Sequence, residues 1–184
     1  TGVAYIEAAR ISQAKATHPE ASVWVSAFAG SGKTTVLTRR VLALLLAGTP
    51  ANRILCLTFT KAAAAEMANR IAAQLSRWVT ADEDTLIGDL SQLLPDGVER
   101  DSMKRARRLF AEVLDAPGGL QISTIHAFCQ SLLRRFPLEA NVAPHFTLIE
   151  ERDAEEALAR ALNDTLAEAR AGFDAKLADA MDVI

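Results

Sequence analysis

Residues 26–37 read SAFAGSGKTTVL. They join an apolar run, ASVWVSA at 21–27, to a segment that opens on Lys33. The β-branched run predicts a strand. Val36, Leu37, Val41, Leu44 and Leu45 recur at helical spacing until Gly48 and Pro50 stop the helix. A strand, a small-residue loop and a helix opened by Gly-Lys-Thr form an arrangement that cradles phosphate. Successive backbone N–H groups turn inward, and the helix N-terminus adds partial positive charge. Gly30 and Gly32 permit that path. The general pattern starts on glycine where this chain has Ala27, a departure that is tolerable if the position only has to be small. The loop therefore predicts an ATP site formed by Ala27, Phe28, Ala29, Gly30, Ser31, Gly32, Lys33, Thr34 and Thr35. Lys33 would reach the β and γ phosphates, and the Thr34 hydroxyl would hold Mg²⁺. Lys33 and Thr34 are accordingly the catalytic candidates. The bland alternative is a chance Gly-Ser-Gly turn.

Working outward, RILCLTF at 53–59 is a near-continuous apolar run, as expected of a strand buried on both faces of a parallel sheet. KAAAAEMANRIAAQLSRW at 61–78 is an alanine-rich helix. Strand and helix thus alternate, which predicts an α/β fold with a partial parallel sheet and flanking helices. Beyond Thr80 the chain turns acidic and turn-rich around Pro95 and Gly97. A helix follows, with Met103, Ala106, Phe110, Val113 and Leu114 on one side, and ends at APGG, 116–119. LQISTI at 120–125 is a third strand candidate, running into a helix that stops at Pro137. From Glu151 a charged helix carries Ala157, Leu158, Ala161, Leu162 and Leu166.

The net charge of −3 conceals an asymmetry: residues 1–80 carry nine Lys/Arg against three Asp/Glu, and residues 81–184 carry eleven against twenty. A basic half can steer phosphates. Mean hydropathy is +0.12, yet no apolar run reaches the roughly 18 residues of a membrane span. Cys56 and Cys129 lack metal-ligand spacing and read as buried thiols in a reducing compartment. A soluble, cytoplasmic protein is expected.

Three stretches in fixed order sharpen the functional reading: AFAGSGKTTVLTRRV, then LTFTKAAAAEM at 57–67, then STIHAFCQSLLRRF at 123–136. Together they resemble ordered motifs of the UvrD/Rep-like superfamily-one DNA helicases, and among these the RecB-like helicase–nuclease subunits of bacterial double-strand-break repair. In that branch the loop commonly starts with alanine, so Ala27 is a family variation. The resemblance covers most of residues 10–150, with 80–118 matching only as a variable helical insert.

The resemblance implies a RecA-like P-loop NTPase lobe in four parts. These are the nucleotide-binding part at 1–80, the insert at 81–119, a third strand and helix at 120–149, and the start of a helical subdomain at 150–184. It implies that Gln13 reads the adenine edge, as an amide can by donating and accepting. It implies that single-stranded DNA is tracked by Thr58, Phe59, Thr60 and Lys61 on one motif and by Thr124, His126 and Phe128 on the other. For Phe59 the alternative is a core residue, since it continues an apolar strand. Relatives often follow the Lys-Thr pair with a basic residue, where this chain has Thr35.

The implied parent is an ATP-dependent 3′-to-5′ translocase with a second subunit in a helicase–nuclease complex. Hydrolysis needs an acidic pair behind an apolar strand. Only Glu150 and Glu151 follow such a run, and they read as the passage into the helical insertion. The chain is therefore expected to be a fragment that binds ATP without turning it over. A complete small P-loop NTPase, using Glu150, is the alternative.

Overall fold

The computed structural model describes residues 2–171 apart from 27, 29, 31, 95, 96 and 150. Helix α1 spans Gly2–Thr17 and α2 spans Lys33–Leu46; a single 3₁₀ turn, Ala51–Arg53, leads into strand β1, Leu55–Thr58. Then come α3 (Lys61–Thr80), α4 (Glu83–Ser91), α5 (Arg100–Asp115), β2 (Gln121–Thr124), α6 (Ile125–Arg135) and α7 (Glu151–Arg170). The fold is a mixed helix–strand arrangement divided into two compact units, residues 1–132 and 133–184.

Residues 1–132 are built around a helical core. On α3, Ile71, Leu75 and Trp78 fall on one face at helical spacing and are buried. Leu86 and Leu90 of α4, Ala106 and Leu109 of α5, and Val41, Leu42 and Leu45 of α2 complete the cluster. Polar tethers lock the helix ends into it. The Arg107 guanidinium donates to the carbonyls of Val79 (3.0 Å) and Ala81 (2.9 Å), satisfying acceptors that the end of α3 leaves open. Arg105 Nε donates to the Leu45 carbonyl at 3.1 Å, near the end of α2. Asp82 caps α4 by accepting from the Thr85 backbone N–H at 2.8 Å.

The sheet is small and parallel. Strands β1 and β2 pair in register from Leu55 opposite Gln121 to Thr58 opposite Thr124. The strand expected over 21–27 is not part of it: residues 21–26 have no regular structure, and Ala27 lies outside the described residues. A strand exists only where a neighbour completes its hydrogen-bond ladder, and β2 is the only strand paired with β1 among the described residues. The same fact corrects the expectation of two-sided burial for 53–59. Leu55 and Leu57 remain about half exposed, and the opposite side, with Cys56, is half-buried.

Other expectations shift in detail. Ala106 and Leu109 bury the face of α5, with Met103, Phe110 and Val113 partly buried against the core, whereas Leu114 is exposed. In α2, Leu37 turns outward and Leu42 inward. Helix α4 forms within the stretch read as acidic and turn-rich, with Leu86 and Leu90 buried one turn apart, and α1 forms where the sequence has no clear apolar period. Cys129 is exposed and Cys56 half-buried, so the expectation of two buried thiols fails. In residues 133–184, α7 leaves Leu158 and Leu162 exposed.

Candidate functional site

The loop before α2 follows the backbone path that its glycines allow. Gly30 and Gly32 have φ of +78° and +87°, in the left-handed region that side chains with a Cβ rarely enter. Gly32 is the N-cap of α2, and no side chain caps that end; no acidic residue lies in the first turn. The positive end of the helix dipole therefore lies at this loop with no acidic side chain from the first turn beside it. Lys33 is exposed, and its Nζ donates to the Phe28 carbonyl at 2.6 Å. Thr34 is half-buried and Thr35 exposed. Ala27, Ala29 and Ser31 lie outside the described residues.

Gln13, far upstream on α1, comes to this loop: a methyl group added at Gly32 would sit 4.0 Å from its side-chain amide nitrogen. Gln13, Trp24, Phe28, Lys33 and Val36 line one hollow of about 710 Å³. The approach segment is tied down by Arg40. Its guanidinium donates to the carbonyls of Ala16 (3.1 Å), His18 (2.8 Å) and Ala21 (2.6 Å). Sequence reading missed this residue, although an arginine inside the buried stretch of an apolar helix is a signal of its own.

The second set of candidates gathers at the carboxyl end of the sheet. The register places Thr58 beside Thr124 at the last rung. From there the chain passes through Phe59 and Thr60 into α3, which begins at Lys61, and through Ile125 into α6 with His126 and Phe128. Two of the threonines start the helices: Thr60 Oγ1 accepts from the Ala63 N–H and Thr124 Oγ1 from the Ala127 N–H, both at 3.1 Å. Phe59 is 85% exposed, which excludes the core alternative in this fold. Lys61 and His126 are exposed, and Phe128 is half-buried. Such an end is where parallel α/β sheets receive ligands.

The UvrD/REP helicase N-terminal domain family matches residues 9–182, a span that contains the loop, Gln13 and both sheet-end motifs. The chain belongs to this family. Curated relatives are named as a subunit of an ATP-dependent helicase/nuclease. The Lactobacillus gasseri protein is 37% identical over 161 residues, covering 87% of this chain and 12% of that protein. The Lactobacillus acidophilus protein is 38% identical over 151 residues, 77% of this chain and 11% of its own length. The Enterococcus faecalis protein is 36% identical over 128 residues, 70% and 9% respectively. The chain spans about a tenth of the length of these relatives.

Burial pushes the Cys56 thiol up from its ordinary value, and the Thr85 N–H lowers Asp82 at the far end of the helical core. Among the described residues no cluster of three or more His, Cys, Asp or Glu could hold a metal ion. A divalent ion here would depend on phosphate oxygens with the Thr34 hydroxyl, and that donor set suits Mg²⁺, which keeps most of its water. Glu150, the acidic alternative, lies outside the described residues, as does the Glu151 side chain. No described helix is long and apolar enough to cross a membrane.

Proposed function

We propose that the chain is the ATP-binding portion of an ATP-dependent 3′-to-5′ DNA helicase or translocase of the AddA type, acting in double-strand-break repair. The observation that carries this reading is the convergence of Gln13, Phe28 and Lys33 on one hollow at the uncapped start of α2. The lobe is of the RecA-like P-loop kind, in four parts at 1–80, 81–119, 120–149 and 150–184, and works in the cytoplasm with a second subunit.

The residues have distinct tasks. Gln13 presents an amide that donates to and accepts from a base edge. The loop from Ala27 to Gly32 and the α2 N-terminus direct N–H groups at phosphate oxygens, and Lys33 exchanges the Phe28 carbonyl for a phosphate. Thr34 offers the hydroxyl that joins a Mg²⁺ shell. Bound ATP with Mg²⁺ supplies the phosphoanhydride whose cleavage drives the motor. At the sheet end, Phe59 offers an exposed stacking face, while Thr58, Thr60, Lys61, Thr124, His126 and Phe128 surround the strand of single-stranded DNA. The chain alone binds without turnover, because no acidic pair stands behind β1 or β2 to orient water.

Titration with a fluorescent ATP analogue and Mg²⁺ tests this reading. Saturable binding that Lys33→Ala abolishes, without turnover, is the expected result. Turnover without DNA would replace the reading with a complete small NTPase, and no binding to the wild-type chain would refute the site.

A further inference from the structure

The chain has two tryptophans, and they stand at opposite extremes of exposure. Trp78 is fully buried in the helical core, whereas Trp24 is 93% exposed. An indole carries a large apolar face, so one left in water without packing partners is available to a ligand. Where it stands decides which ligand.

Trp24 lies on the approach segment between α1 and the phosphate loop, three residues beyond Ala21, whose carbonyl accepts from the Arg40 guanidinium at 2.6 Å. It lines the hollow at the start of α2 together with Gln13 and Lys33. Ala16, Val23, Val25 and Val36 give that hollow apolar walls. Its charged lining is Lys15 and Lys33, with no carboxylate among the described residues. Phe28 is as open as Trp24, at 91%, but its carbonyl holds the Lys33 Nζ at 2.6 Å, which places it at the phosphate end.

We propose that Trp24 is the stacking platform for the base of the bound nucleotide, an inference that rests on reading the hollow as an ATP site. A purine offers a polar edge and two π faces. The Gln13 amide serves only the edge, by donating and accepting. Lys33 and the α2 N-terminus serve only the phosphates. The face takes a flat apolar partner, and Trp24 supplies one in the same hollow. Edge and phosphate recognition alone leave a base free to tilt, and a ring stacked on it fixes its plane.

Calorimetric titration with ATP and Mg²⁺, beside inorganic triphosphate and Mg²⁺, tests the platform. Trp24→Ala should weaken ATP by about tenfold and leave inorganic triphosphate, which has no base, unchanged. Trp24→Phe keeps a ring and should recover most of the loss. The exposure of Trp24 means that both variants should unfold at the wild-type midpoint. ATP should quench the wild-type tryptophan emission, and Trp24→Phe should lose that quenching. Lys33→Ala should weaken both ligands, which marks the nucleotide site independently of the base. Wild-type affinity for ATP in Trp24→Ala, equal weakening of ATP and triphosphate in it, or quenching by oligo(dT) and not by ATP would overturn the platform while the ATP site stands. A wild-type chain that binds neither ligand would overturn the platform together with the reading beneath it.

Discussion

The indole Nε1 of Trp78 donates to Oδ2 of Asp89 at 3.2 Å, joining α3 to α4 across eleven residues of sequence. Gln74 Nε2 donates to the same oxygen at 2.9 Å, and the Arg77 guanidinium reaches both carboxylate oxygens. Trp78 is fully buried, so Asp89 is what satisfies its N–H. Asp89→Ala should therefore destabilise the chain by about 1–3 kcal/mol, the range for a buried donor left unpaired. Asp89→Asn, which keeps an acceptor, should cost less. Urea unfolding followed by tryptophan emission reads both, and equal losses would deny the hydrogen bond its role.

Arg40 does comparable work for the approach to the loop. Its bonds to the Ala16, His18 and Ala21 carbonyls hold the end of α1 against α2. Arg40→Met keeps much of the stem and removes the donors, and should cost about 1–3 kcal/mol. Hydrogen exchange should quicken selectively in residues 13–26, and nucleotide affinity should fall with it. Unchanged exchange there would show that the segment is held by something else.

Phe59 separates stability from binding. At 85% exposure its truncation to alanine should change stability by no more than about 0.5 kcal/mol. Single-stranded DNA affinity should fall by about 1–3 kcal/mol if a base stacks on the ring. Thermal unfolding and oligo(dT) polarisation, run on one preparation, read the two quantities. A stability loss with unchanged affinity would make Phe59 a packing residue.

Asp82 gives a pH signature. The Thr85 N–H and hydroxyl, both 2.8 Å from its carboxylate oxygens, hold its carboxyl below the ordinary value of 3.8. A group with a lowered folded-state pKa stabilises above its unfolded value and loses that contribution as pH falls through the folded value. Asp82→Ala should thus lower the unfolding midpoint at neutral pH, and the gap to wild type should narrow below about pH 4. A gap that stays constant with pH would mean the cap does not act through the ionised carboxylate.

Much of the fold is legible in the sequence because it is written in short-range patterns. Helix α3 shows its alanine-rich propensity in a single stretch, and Gly48 with Pro50 marks the end of α2 in the letters alone. The chemistry of the loop is equally local, since Gly-Ser-Gly-Lys-Thr needs only its own backbone freedom, and the two glycines take the left-handed conformations that freedom permits. The run at 21–27 misleads because the same β-branched letters describe a strand only when a neighbour supplies the ladder. Exposure of Phe59 and Cys129 is hidden for the same reason: which side of an element is covered depends on what packs there.

Sequence by itself determined helices α2, α3, α5 and α6, strands β1 and β2 and the order of the three motifs, because periodicity, capping and glycine placement act within a few residues. Tertiary structure alone decided that Gln13 stands beside Gly32, that Thr58 meets Thr124, and that one carboxylate serves Trp78, Gln74 and Arg77. Each of these joins residues from different elements, and only the burial of the shared core brings those elements together.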